Sequence, residues 1–154
     1  MILNILQKQI GKNRKKIEPV QMTFEQPPTN LRELIEYTVT IMVESFNERV
    51  RKGTEDSNIR LMTDEEIDSM AELGRVAFGI VYNEKEQSVE KAVDTALMAY
   101  IDGMVRIFIN GELTDVPGND GVVRLEDLEE YKLNLKDGDE IAFIRLAMLA
   151  GRMW

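Results

Sequence analysis

The sequence predicts an α+β domain, and three observations carry that expectation. Val20, Met22 and Phe24 alternate with Gln21 and Thr23, the period of two that a half-buried strand requires. Further on, apolar residues recur at three- and four-residue steps, the period of an amphipathic helix. Asn110-Gly111, the strongest short hairpin signal, then joins two further strand-like runs. The 154 residues amount to one ordinary domain, and a chain of that size buries about 70% of its unfolded surface without needing a disulfide or a metal.

Residues 1–10 and 17–25 read as two strands around a polar connection that contains Gly11 and Asn13. In the second, Val20, Met22 and Phe24 alternate with Gln21 and Thr23, and Pro19, which lacks a backbone donor, assigns that strand to a sheet edge. Pro27-Pro28 stops it. Asn30 and Glu33 have the spacing of a capping box, and Leu31, Leu34, Ile35, Val39, Met42, Phe46 and Val50 continue as one apolar stripe up to Gly53. A second helix is expected over 64–82, with Thr63 and Glu66 as its capping box and Met62 and Ile67 as a hydrophobic staple. Its apolar face carries Gly74, Ala77, Phe78 and Val81, and Gly74 on that face points to a close helix-helix approach. A third helix runs over 88–102, with Val89, Ala92, Val93, Ala96, Leu97 and Tyr100 inward and Gly103 as its C-terminal cap.

The last third returns to strands. Val105–Ile109 and Glu112–Val116 flank Asn110-Gly111, a loop follows over 117–121, and 125–131 is a short helical turn. Lys136-Asp137-Gly138-Asp139 is a tight turn, and Glu140–Leu146 is apolar on both alternating sets, which suits a central strand buried on two faces.

With 54–103 set aside, the order is strand, strand, helix, strand, strand, strand. Arg106–Asp115, Leu125–Tyr131 and Asp139–Leu146 are similar to the back half of ubiquitin. Asn110–Leu113 and Leu135–Ile144 look more like the sulfur-carrier branch, the small molybdopterin-synthase subunit and the thiamine carrier, and Thr23–Leu34 resembles the strand-to-helix passage of the same fold. The resemblance covers about 100 of the 154 residues. It implies a ubiquitin-like β-grasp sheet crossed by one long helix, built from 1–53 and 104–154, with 54–103 as a helical insertion in a single domain. Carriers and modifiers of that family act through a C-terminal Gly-Gly, whereas this chain reads Ala150-Gly151-Arg152-Met153-Trp154. The resemblance therefore implies a non-enzymatic protein-interaction module. The alternative is a sulfur-carrier or modifier-like protein activated at Gly151 after removal of 152–154.

Composition narrows the function independently. With no Cys and no His, thiolate nucleophiles, Cys-type metal sites and the commonest general base are all missing, so a binding module with no enzyme activity, cofactor or metal is the expectation, and a carboxylate-based hydrolase or metal enzyme is the third alternative. A net charge of -9 disfavours a broad nucleic-acid surface. No apolar run approaches the roughly 20 residues of a membrane span. The charge order at the N-terminus is the reverse of a signal peptide's, and a cytoplasmic protein is the expectation.

The bland readings suffice for most clusters. Asp64, Glu65, Glu66 and Asp68 complement a helix dipole, Asp137 and Asp139 belong to turn chemistry, and the acidic neighbours of the 115–121 loop would repel a phosphate. Lys8, Lys12, Arg14, Lys15 and Lys16 read as a solvated turn guarding an edge strand, with docking of an acidic partner as the competing reading. The most suggestive feature is the segment after the last strand. Leu146, Met148, Leu149, Met153 and Trp154 crowd nine residues around Gly151. Left in water they would form an apolar patch larger than a monomer ordinarily carries. These residues are the candidate partner-binding set, and Trp154 is expected to be buried on the chain's own fold or in the interface with a protein partner or a second copy.

Overall fold

The computed structural model describes residues 1–9, 20–52, 71, 74–80, 86–116 and 122–145. The first hairpin's basic loop, the Thr63–Glu66 capping box, the acidic cluster at 64–68, the loop at 117–121 and the segment 146–154 lie outside the described residues.

Five strands form one mixed sheet in the order β2-β1-β5-β3-β4. They are β1 (Ile2–Gln9), β2 (Val20–Thr23), β3 (Val105–Ile109), β4 (Glu112–Leu113) and β5 (Glu140–Arg145). β1 runs parallel to β5, with Ile5 opposite Ile141, and every other pairing is antiparallel. β2 is an edge and β5 is central, as the Pro19 and double-alternation arguments predict. The Asn110-Gly111 turn has positive φ at both residues (50° and 85°), the conformation that a two-residue hairpin with native twist demands. β4 is shorter than the predicted Glu112–Val116. Beyond Leu113 the chain is held to β3 by Thr114, whose backbone N–H and hydroxyl both donate to the Ile107 carbonyl, at 2.9 and 2.8 Å.

Helix α1 (Leu31–Lys52) lies where the stripe predicts it. Asn30 caps it by accepting the Glu33 N–H at 2.8 Å. The reciprocal arm of the box differs from expectation: the Glu33 carboxylate accepts from the N–H and hydroxyl of Thr29, at 2.9 and 2.7 Å, instead of from Asn30. Asn30 stands opposite Lys132 in an isolated antiparallel bridge whose hydrogen bonds are made by its neighbours, Leu31 N–H to Tyr131 O and Leu133 N–H to Thr29 O. These bonds, with the Arg32–Glu129 ion pair, tie the start of α1 to a short helix near the end of the chain, Leu125–Glu130.

Helix α2 (Val89–Ile101) starts at Ser88, whose hydroxyl accepts from the Lys91 N–H. It ends in a Schellman motif: Gly103 at φ 79° donates to Tyr100 O and Met104 donates to Ala99 O. Between α1 and α2 the described chain forms a π-helical turn, Gly74–Phe78. The helix expected to reach residue 82 thus stops at Phe78, because Gly79 takes the left-handed conformation (φ 75°) and Ile80 N–H bonds back to Gly74 O.

One core cluster joins the inner face of the sheet to these helices. Leu3, Ile5, Met22, Ile107, Ile141 and Phe143 meet Leu34, Ile35, Val39 and Met42 of α1, Ala77 and Phe78 of the turn, and Ala96 and Leu97 of α2. The Phe78 and Phe143 rings pack edge to face at 5.0 Å. The described part of the 54–103 region therefore supplies part of the same core. Two polar residues of α1 are also buried. Asn47 grips the lead-in to α2, its amide donating to Gln87 O at 2.8 Å and accepting Gln87 N–H at 2.6 Å. The Thr38 hydroxyl is buried without a partner among the described residues.

Candidate functional site

None of the binding candidates that the sequence singles out (Leu146, Met148, Leu149, Gly151, Met153 and Trp154) falls within the described residues, and the description of β5 ends at Arg145. The structure does settle the chemistry of the Lys136–Asp139 turn. Asp137 accepts the Ile2 N–H at 2.7 Å and Asp139 accepts the Lys136 N–H at 2.8 Å, while Gly138 N–H donates to Ile2 O. The first carboxylate fastens the turn to β1 and the second closes the turn on itself. Among the described residues, no group of three or more His, Cys, Asp or Glu side chains could hold a metal ion. Nor is any described helix long and apolar enough to cross a membrane.

The sheet's other face offers a surface. Because side chains alternate along a strand, the burial of Ile5, Ile107, Ile141 and Phe143 on the inner face turns Leu6, Phe108, Ala142 and Ile144 outward. The register then aligns them. Leu6 pairs with Ala142, Ala142 with Phe108 and Phe108 with Leu113, so one apolar row crosses four adjacent strands. Its edge member Leu113 is 41% exposed, Phe108 and Leu6 are half-buried, and the small Ala142 is buried. The adjacent row sets half-buried Ile144 opposite exposed Arg106, and Ile2, 45% exposed, lies on the same face. Such a surface can bury apolar area against another macromolecule, with Arg106 as a polar anchor at its side.

A second concave feature opens on the helical side. A groove of about 450 Å³ lies between α2 and the π-helical turn. Phe78 is its buried base, Met98 and Ala99 of α2 and Met104 form its apolar wall, and exposed Asp94 and Asp102 border it. Half-buried Arg145 also lines it, with a guanidinium nitrogen near Gly79. Among the described residues Arg145 has no ion-pair partner.

Perturbed acidities belong to structure rather than to either surface. Hydrogen bonds from the Thr29 backbone and hydroxyl hold the Glu33 carboxyl below the ordinary carboxylate range. Burial pushes the Tyr100 phenol up, partly opposed by its hydrogen bond with Thr114. Neither group lies in the groove or on the open face.

The row is not legible in the sequence. Alternation assigns Phe108 and Leu113 to faces, but which residues stand opposite one another depends on pairings between distant strands. Compared with family models, curated proteins and solved structures, the chain yields no match in any of the three.

Proposed function

We propose that this chain is a ubiquitin-like β-grasp module of the cytoplasm that binds a protein partner through the open face of its sheet and catalyses no reaction. Support for the fold assignment comes from the strand order β2-β1-β5-β3-β4, with the parallel β1–β5 pair at its centre and one long helix sharing a core with a single face. The observation that carries the binding reading is the apolar row Leu6–Ala142–Phe108–Leu113, which spans four strands and ends in an exposed leucine. A row of this kind has the composition of an interface centre, apolar and aromatic with charge only at its margin.

The test uses site-specific photo-crosslinking from the exposed Leu113 position in cells that make the protein. A discrete crosslinked species should form with the parent sequence and disappear on Phe108→Asp, while Glu90→Lys on the exposed side of α2 leaves it intact. Equal loss with both variants, or no discrete species, refutes the open face as the binding surface. Intact mass of the native protein checks the competing carrier reading, because loss of 152–154 or a thiocarboxylate on Gly151 would replace the present one.

A further inference from the structure

Building on the open-face reading, we propose that the occupant of that surface is a second copy of this chain, docked face to face about a two-fold axis. The register lays the outward side chains in rows across the strands. The apolar row is the middle one. The row before it places exposed Glu140 beside Asn4, and the row after it places Ile144 beside exposed Arg106. The apolar strip is thus bordered by a carboxylate on one side and a guanidinium on the other. Neither forms an ion pair among the described residues.

That order of rows complements itself. When a second copy is turned over about an axis along the apolar row, the row meets its own copy and the flanking rows exchange places. Glu140 of the second copy then faces Ile144, one strand spacing of about 4.8 Å from Arg106, and symmetry repeats the contact. The strands of the two copies lie along a common line, the aligned arrangement in which sheets pack about 10 Å apart. An axis along β5 would instead set Glu140 against its own copy, like charge on like charge, so the charges select the first axis. Area agrees. Five strands at about 4.8 Å and three rows at about 7 Å make a face of roughly 24 by 20 Å, and a pair buries about 1,000 Å². That is the lower edge of a specific interface, and it fits a weak dimer that dissociates on dilution.

Light scattering on the full-length protein over a dilution series tests the proposal. The salt is set at about 0.15 M, where repulsion between two chains of net charge -9 is screened beyond about 8 Å. The mass should approach that of two chains at high concentration and fall to that of one on dilution. Arg106→Glu alone and Glu140→Arg alone should each weaken the dimer by about tenfold or more, because each sets like charges together. An equimolar mixture of the two variants should restore it, since each charge then finds its opposite across the axis. Both positions are exposed, so the variants should retain their far-ultraviolet circular dichroism. Should either fail to fold, Leu113→Asp at the exposed end of the row serves in its place and should abolish the dimer. A parent protein that remains a single chain at every concentration overturns the proposal. If the crosslink from Leu113 in cells then joins a different protein, the open-face reading stands without it; if no crosslink forms, both fall. A dimer indifferent to the charge changes and to Leu113→Asp also overturns the proposal, by placing the interface on another surface. So do losses in the single variants that their mixture does not repair.

Discussion

The two faces of the sheet are made from the same strands by the same alternation, yet they differ in almost every physical respect. On the inner face Leu3, Ile107, Ile141 and Phe143 are wholly buried. On the outer face Phe108 is half-buried and Leu113 is open to solvent. The difference arises from what lies above each face. Helix α1 and the Phe78 turn close the first, whereas among the described residues no helix packs on the second. Apolar character alone therefore does not define a core. A row of large side chains becomes core only where another element removes it from water, and otherwise it remains available for binding.

The sharpest way to break the comparison is to truncate one aromatic on each face. Phe143→Ala should lower the unfolding free energy by about 3–5 kcal/mol, because it removes transfer energy and leaves a cavity against Phe78. Phe108→Ala should cost no more than about 2 kcal/mol, since part of its ring is already hydrated. Urea denaturation of both variants decides the matter, and equal losses would mean that the outer face is a second core. The next effect concerns how the inner face is roofed. Asn47→Ala removes two hydrogen bonds to the Gln87 backbone and should cost about 1–3 kcal/mol in the same assay.

A smaller change of opposite sign is expected at Thr38, whose hydroxyl is buried without a partner among the described residues. Thr38→Val keeps the shape and removes the polar group, so it should be neutral or stabilise by up to about 1 kcal/mol, read as a rise in melting temperature. The smallest effect is at the start of α1. With its carboxyl held below the ordinary range by Thr29, Glu33 contributes stability that is complete above the unfolded carboxylate pKa of about 4.3 and lost as pH falls through the lower folded value. Melting curves of Glu33→Gln and the parent should differ slightly at neutral pH and converge in strong acid. A difference that grows on acidification would reverse the sign and refute the assignment.

How much of this can be read from the sequence depends on whether the information is local. The α1 stripe, the Asn30 cap, the Asn110-Gly111 turn and the Gly103 stop are each set by residues within a turn or two of one another, and each stands where periodicity and capping chemistry place it. The end of the second helix is not legible, because Val81 prolongs the apolar spacing past Gly79 and spacing cannot reveal that Gly79 turns left-handed. The Glu33 carboxylate meets Thr29 and not Asn30, a choice between neighbouring donors that the spacing of a capping box does not reveal. Asn47, a polar residue beside the apolar stripe, is buried because Gln87 meets it. The open-face row is the extreme case, since four residues from four strands meet only through the register. The sequence singles out Leu146–Trp154 as an unusual segment, but its surroundings are decided by contacts that composition does not encode.

The central parallel pair also sets an order of events in time. β1 has β5 as its neighbour on one side, and Ile2 bonds Asp137 across 135 residues. At ordinary rates of synthesis, β5 follows β1 from the ribosome by roughly 10 seconds or more. During that interval α1 and α2 can form from local contacts, but Leu3 and Ile5 have no central strand to complete their face. A nascent chain halted before residue 140 therefore presents an unpaired β1 edge, a natural target for a chaperone and a hazard for association with other chains. Completion of the sheet is then a single late step, in which arrival of β5 joins the β1–β2 hairpin to the β3–β4 hairpin at once.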